Sequence, residues 1–308
     1  MKNPIIIGVF CYNRVSKLKR CIEALLTNPE CAEMDIIFFS DGAKKGADHT
    51  PILEVRNYID HLTGFKNVVK HYRENNLSTG PNFRTGLTYL SEHYERFIVV
   101  EDDLIVSPNY LRFLIDGLEF YKDEQSVFCV TAYVFPISDE TDPYDTIVYK
   151  RFCSYGWASW SDRFQNIVWE EAELSKLMER SPGFKKRLNA EGYDLVRMLK
   201  KQINGKISTW DIQMQTHVAE NRLKVIYPKL SKVSNIGFDE ESTNTSGVNY
   251  LITPLDDGIK QTFNFSPASN IVPKLQEQIK KPYAYKTLVI RKLKNEFIKL
   301  TNSIKKAD

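Results

Sequence analysis

Three adjacent carboxylates, Glu101, Asp102 and Asp103, follow directly on the apolar run 97–100, and Leu104, Ile105 and Val106 restore the apolar pattern after them. Like charges at this spacing repel, and burying unpaired carboxylates costs several kcal/mol each. A hard divalent cation is the simplest reason to gather them. Carboxylate oxygens suit Mg2+ or Mn2+, which keep waters and complete their shells with substrate phosphates. A metal beside a diphosphate would neutralise the charge that builds on a leaving nucleoside diphosphate. The bland alternative is a solvated turn with an acid at a helix start, and the apolar flanks on both sides argue against it.

Other polar residues fall at comparable places. Asn13 and Arg14 follow the apolar run 5–10, and Asp41 ends the run 35–40. Asp41-Gly42 is also a good turn dipeptide, and Arg14 read alone is a surface cation. The stretch "RENNLSTGPNFR" carries Gly80 and hydroxyls but lacks the spacing of a phosphate-binding loop. It reads first as a turn capping a helix from Pro81, with Arg73 and Asn76 free to face a nucleotide. In "SYGWASWSDRF", Trp157 and Trp160 stand at the i, i+3 spacing of a helix, more often a core pattern than a ligand platform. Asp211 opens a helical stretch that ends near Asn221, where a carboxylate serves either as N-cap or as a working group. His217, inside that stretch, reads as structural.

What positions these residues is an alternation of strands and helices. Strands are expected at 5–10, 35–40, 67–72, 97–100 and 127–133. Helices are expected at 16–26, 52–62 and 81–93, and another from Ser107-Pro108, a hydroxyl N-cap before a proline. The run 5–10 is continuously apolar, as a strand covered on both faces is, and 35–40 reads as a second buried run. The order predicts an α/β fold with a parallel, doubly wound sheet, in which ligands bind beyond the carboxyl ends of the strands. The polar residues named above collect at that edge.

The chain has 308 residues, 42% of them hydrophobic and 26% charged, which is globular composition with room for a sizeable core. A net charge of +3 excludes a polyanion binder as a whole, so no nucleic-acid partner is expected. No signal peptide and no membrane-spanning run are expected. The five cysteines lack paired spacing and read as reduced thiols of a cytosolic protein.

Together "VVEDDLIVSPNYLRF", "FFSDG", "GWASW" and "TWDIQ" resemble a GT-A-fold glycosyltransferase. More narrowly they resemble the inverting alpha-mannoside beta-1,2-N-acetylglucosaminyltransferases and related bacterial sugar transferases, over about the first 240 residues. The resemblance implies a mostly parallel GT-A sheet flanked by helices, a UDP-sugar donor, and Mn2+ or Mg2+. It implies Asp103 as direct metal ligand, Asp102 touching ribose or a metal-bound water, and Glu101 serving the sugar or its supporting network. Asp41 would contact uracil or ribose, Arg14 would flank the nucleotide, and Gly156 and Trp157 would border the donor sugar. Asp211 would be the base that takes the acceptor hydroxyl proton as it attacks the anomeric carbon. A hydroxyl-rich stretch, 233–247, would close over the donor. Related bacterial sequences favour a His near its end; here Asn244 stands closest, which puts a second protein metal ligand in doubt.

The expected activity is transfer to a hydroxyl of a glycan or lipid-linked acceptor, with inversion. A sugar nucleotidyltransferase is the rival enzyme, opposed by 10–13, "FCYN", where that class carries a Gly-rich loop. A noncatalytic sugar- or membrane-binding partner is opposed by the acids at the strand ends. Residues 1–250 are expected to form the GT-A domain, with 1–133 its nucleotide-binding half and 134–250 its sugar and acceptor half. Residues 251–308 form a helical C-terminal extension. From Lys280 onward nine Lys or Arg face Glu296 and Asp308, a charge of +7 that leaves −4 for the rest. There Ile290, Leu293, Phe297, Leu300 and Ile304 make one apolar stripe. A basic amphipathic helix suits an anionic membrane surface, placing the protein peripherally on the inner face. The same stepping suits packing on the catalytic domain or a coiled coil with a second copy.

Overall fold

The computed structural model describes residues 3–138, 141–181, 183–237 and 252–305. In chain order the first half comprises β1 (Asn3–Cys11), α1 (Val15–Leu25), β2 (Asp35–Ser40), α2 (Thr50–Asp60), β3 (Asn67–Tyr72), α3 (Thr79–His93), β4 (Tyr94–Glu101), β5 (Leu104–Val106), α4 (Tyr110–Phe120) and β6 (Val127–Thr131). Next come β7 (Thr146–Tyr149), β8 (Trp157–Trp160), α5 (Glu171–Arg180), α6 (Phe184–Ala190), α7 (Leu195–Ile203), α8 (Asp211–Glu220), β9 (Lys224–Pro228) and β10 (Val233–Asn235). Two helices, α9 (Pro273–Lys280) and α10 (Tyr285–Lys305), follow.

One sheet organises the chain, in the order β3-β2-β1-β4-β8-β6-β9-β7. Strands β1 to β4 are mutually parallel, and β6 and β9 run with them. Strand β8 is antiparallel to both neighbours, and β7 is antiparallel to β9. A two-stranded ribbon pairs β10 with β5 in front of the sheet. This is a GT-A-type α/β architecture, a mostly parallel sheet flanked by helices.

The apolar runs form central strands because helices cover both faces. On one face Ile7, Val9, Ile36, Phe38, Ile98 and Val100 pack with residues of α1, α2 and α4. On the other, Ile6, Phe10, Ile37, Phe39, Phe97 and Val99 pack with Phe83, Leu87 and Leu90 of α3. A smaller apolar cluster joins α5 to α8 through Leu174, Phe184, Leu188, Leu199 and Ile212. Burying such a side chain contributes about 1.5–3 kcal/mol. Beyond Ile252, Phe263 and Phe265 lie against Phe113, so this segment packs on α4.

Three local expectations are corrected. Trp157 and Trp160 lie in a strand, not a helix. Residues three apart on a strand point to opposite faces, and the two indoles accordingly join opposite core clusters. Helix α4 begins at Tyr110 after an Asn109 cap without a side-chain bond; the Ser107 hydroxyl donates to Asn109 Oδ1 at 2.7 Å. Asp211 is the first residue of α8 and Trp210 stands at the cap position, so Asp211 does not cap that helix.

Candidate active site

The polar residues gather where β1, β2 and β4 end. The Asp102 N–H donates to the Phe10 carbonyl at 3.2 Å, and the Asp41 N–H donates to that of Cys11 at 3.1 Å. These bonds extend the parallel ladder one residue past the apolar runs and set the carboxylates at the sheet edge.

Arg14, at the cap of α1, bonds both neighbouring aspartates. Its NH2 group donates to Asp102 Oδ1 and, at 3.0 Å, to Asp103 Oδ2. Burial lifts the Asp102 carboxyl to about 6, with the Arg14 charge and hydrogen bonds opposing the rise and the Asp103 charge adding to it. Burial first, then the charges of Asp103, Asp102 and Asp211, push Glu101 well above the usual carboxylate range. Four acidic groups from β4, its following turn and α8 therefore share one field. The single charge of Arg14 does not balance them.

Asp103 is enclosed from the other side. Asn235 Nδ2 approaches its Oδ1 at 3.5 Å, and the Ile236 N–H donates to its backbone carbonyl at 2.9 Å. A methyl group on Gly237 would stand 2.2 Å from Asp103 Oδ2, so a side chain there would push the carboxylate from its present place. The β5–β10 ribbon brings these residues together by pairing Leu104 with Asn235.

Asp41 is buried and holds the loop before α3. Its Oδ1 accepts from the Gly42 and Leu77 N–H groups at 2.9 Å each, and its Oδ2 accepts from Asn76 Nδ2 at 3.0 Å. Burial raises this carboxyl, and bonds from the Leu77, Gly42 and Ser78 N–H groups, with the charge of Arg73, oppose the rise. Arg73 turns aside, donating to Thr85 Oγ1 at 2.9 Å. Sequence reasoning missed Arg56, whose guanidinium donates to the carbonyls of Asp41 at 3.3 Å and Arg73 at 2.6 Å, joining the ends of β2 and β3.

A ladder of aromatic rings carries Asp211 to the same edge. Phe39 stacks on Phe10 at 4.9 Å, Phe10 on Phe83 at 4.0 Å and Phe83 on Trp210 at 4.4 Å. The Thr209 hydroxyl donates to Asp211 Oδ1. Gly80 lets α3 approach this segment, because a side chain there would meet Ser208 Oγ at 2.9 Å.

Gly156 adopts φ +64°, in the left-handed region, and its missing side chain makes room for Tyr110 and Val233. The Trp157 side chain, expected beside a donor sugar, is 0% exposed and sits among Phe97, Phe152, Phe164 and Trp210. It supports the site from behind. His217 is buried and faces Phe128. Asn244 and most of the expected closing stretch lie outside the described residues; 233–235 form β10.

The donor set fits a hard divalent cation in kind: the acids are oxygen ligands and carry excess negative charge. Among the described residues no three His, Cys, Asp or Glu side chains are arranged to hold a metal by themselves. A cation bound at Asp103 would therefore draw its other ligands from waters and phosphates, as Mg2+ and Mn2+ commonly do. The cysteines are free thiols, and no helix among the described residues is long and apolar enough to cross a membrane.

Several solved structures are similar to this chain. The fragment 1–349 of Staphylococcus aureus TarS shares 14% identity with it at a TM-score of 0.41, over 76% of this chain and 60% of that one. In complex with UDP-GlcNAc the same fragment gives 12% and 0.45, over 80% and 62%. The mannosyltransferase PcManGT from Pyrobaculum calidifontis, in complex with GDP-Man and Mn2+, gives 12% and 0.42, over 72% and 70%. The chain thus spans about three-fifths of the TarS fragment. No curated protein matches it. A model of the GNT-I family matches residues 1–157, just over half of the 308. The chain belongs to the GNT-I family of GT-A glycosyltransferases.

Proposed function

We propose that this protein is a metal-dependent glycosyltransferase that moves a sugar, with inversion, from a UDP-sugar to a hydroxyl of a glycan or lipid-linked acceptor. The observation that carries the reading is the acidic cluster at the sheet edge, where Arg14 joins Asp102 to Asp103 and where the charges of both, and of Asp211 from a distant segment, act on Glu101. Asp103 would hold Mn2+ or Mg2+, which would offset charge on the departing diphosphate. Asp102 and Arg14 would lie along the nucleotide, with Asp41 beside the base or ribose, and Glu101 and the Gly156 backbone at the sugar. Asp211 accepts one hydrogen bond, from Thr209. It would use remaining lone pairs to take the acceptor proton. Residues 1–133 would serve the nucleotide and 134–250 the sugar and acceptor.

The C-terminal helix supports a lipid-linked acceptor. Ile290 and Leu293 on α10 are exposed, and Lys286, Lys292 and Lys294 are exposed around them. This face would rest on anionic lipid on the inner side of a membrane, each basic residue contributing about 1 kcal/mol near the surface.

Hydrolysis of a nucleotide-sugar panel, with Mn2+ and with chelator, tests the reading. Turnover of a UDP-sugar that needs the metal is expected. Equal turnover in chelator overturns the metal role, and no turnover of any nucleotide sugar overturns the transferase.

A further inference from the structure

Tyrosines lie near the sheet edge that carries the acids. In the β4–β8 ladder Val99 pairs with Trp157 and Ile98 with Ala158. The ladder stops at Val99 and Trp157: Gly156, at φ +64°, turns the chain, and its carbonyl accepts from the Ala132 N–H at 2.8 Å, which holds Tyr155 at the edge of the sheet where β4 ends in Glu101. The Tyr155 ring meets Tyr133 edge-on at 5.2 Å, Tyr133 meets Phe135 at 5.3 Å, and Phe135 meets Tyr283 at 5.5 Å. Beyond it the Tyr193 N–H donates to the Tyr283 carbonyl at 3.3 Å, and the Tyr193 and Tyr285 rings lie 5.9 Å apart. Tyr133 and Phe135 are buried, Tyr155 and Tyr283 are part-exposed, and Tyr193 and Tyr285 are 57% and 66% exposed.

We propose that Tyr155, Tyr283, Tyr193 and Tyr285 form an acceptor subsite that takes a carbohydrate chain along a strip of phenol rings leading from Glu101 to the root of α10. The proposal rests on the transferase reading and names the substrate class of that site. The exposed phenols of Tyr193 and Tyr285 offer flat apolar faces to the C–H face of a sugar ring and hydroxyls that exchange hydrogen bonds with sugar hydroxyls, and Tyr155 and Tyr283 present the part of each ring that the core leaves open. The strip starts at the carboxylates and ends in solvent, so a bound chain has one end at the reacting edge and the other free. Its middle is rigid. The Arg151 guanidinium lies 3.5 Å from the centre of the Tyr283 ring and forms a two-pronged pair with Asp194 at 3.0 and 2.7 Å. Tyr193 and Tyr285 make little core contact at their exposure, so their removal tests binding without dismantling the fold.

Saturation-transfer NMR with octyl glycosides of glucose, galactose, mannose, GlcNAc and GalNAc, with and without UDP and Mn2+, is the test. Wild type is expected to bind at least one glycoside, and Tyr193→Ala/Tyr285→Ala to bind it roughly tenfold more weakly at an unchanged Tm. A wild type that binds none, or a double variant that binds as wild type does, overturns the strip. So does a double variant that loses only self-association in sedimentation, which would make the pair a contact between copies. Calorimetry with UDP and Mn2+ keeps the two readings apart. UDP binding beside a failed glycoside arm overturns the strip alone, whereas absent UDP binding overturns the transferase reading and leaves the glycoside result to judge the strip as a sugar site.

Discussion

The indole of Trp210 lies 4.4 Å from the ring of Phe83 with the two planes 7° apart, and Asp211 is the next residue along the chain. Helix α3 thereby fixes where α8 begins. Truncating a buried phenylalanine costs about 3–5 kcal/mol. Phe83→Ala is expected to lower Tm by roughly 10 °C. Among the molecules still folded, transfer should fall further than UDP affinity, because the displaced group is the acid of α8. Thermal scanning beside single-turnover transfer and UDP calorimetry checks this; equal losses in both would mean the stack holds only the fold.

Asp211→Asn keeps the shape of the side chain and removes its ability to take a proton. Transfer is expected to drop by roughly 10²–10⁴-fold with UDP affinity near that of wild type. Because Trp210, not Asp211, holds the cap position of α8, Asp211→Ala should cost little Tm. A large fall in Tm with transfer intact would return Asp211 to a structural role.

The Arg14 clasp on Asp102 and Asp103 makes the metal prediction two-sided. Asp103→Ala should abolish the strengthening of UDP binding by Mn2+. Arg14→Ala should lower Tm without metal and enlarge the rise in Tm on adding Mn2+, because a cation then replaces the missing guanidinium. Equal metal-induced shifts in wild type and Arg14→Ala would show that the arginine and the cation do not share these acids.

A buried pair behind the ribbon sets an acid limit. Lys232 Nζ lies 2.5 Å from Asp256 Oδ2, and Asp256 Oδ1 accepts from Asn109 at 3.1 Å and from the Gly258 N–H at 2.7 Å. Burial alone would raise the Asp256 carboxyl, but the Lys232 bond and charge with the other donors bring it below its ordinary value. A carboxyl depressed on folding contributes stability above its unfolded pKa, about 4, and that stability is lost as pH falls through the folded value. Asp256→Asn should therefore flatten the acid limb of a Tm–pH curve below about pH 4 and lower Tm at pH 7. A limb of unchanged steepness would place the acid sensitivity elsewhere.

Much of the parallel half was legible because strands buried on both faces leave apolar runs, as 35–40 does for β2; 67–72 is β3 to the residue although that edge strand is only half-buried. The acids stood out because charges interrupt an apolar run only at an edge. The WASW stretch misled for the same physical reason: with both faces buried, a strand loses its alternation, and two tryptophans three apart also fit a helix. Tyr155 gave no signal, since its place at the sheet edge depends on the turn at Gly156. Arg56 gave none either, as its partners are backbone carbonyls of two other segments.

Strand β8 is four residues long and wedged antiparallel between β4 and β6, with Trp157 facing one core and Trp160 the other. Adding or deleting one residue within 157–160 would turn one of the two indoles onto the face that the other now occupies. Length changes between Thr131 and Tyr155 carry no such linkage where they spare β7 and the buried Tyr133, Phe135, Arg151 and Phe152. A designer seeking new acceptors can therefore exchange loops ahead of β8 that spare those residues, and must keep the strand at its four residues.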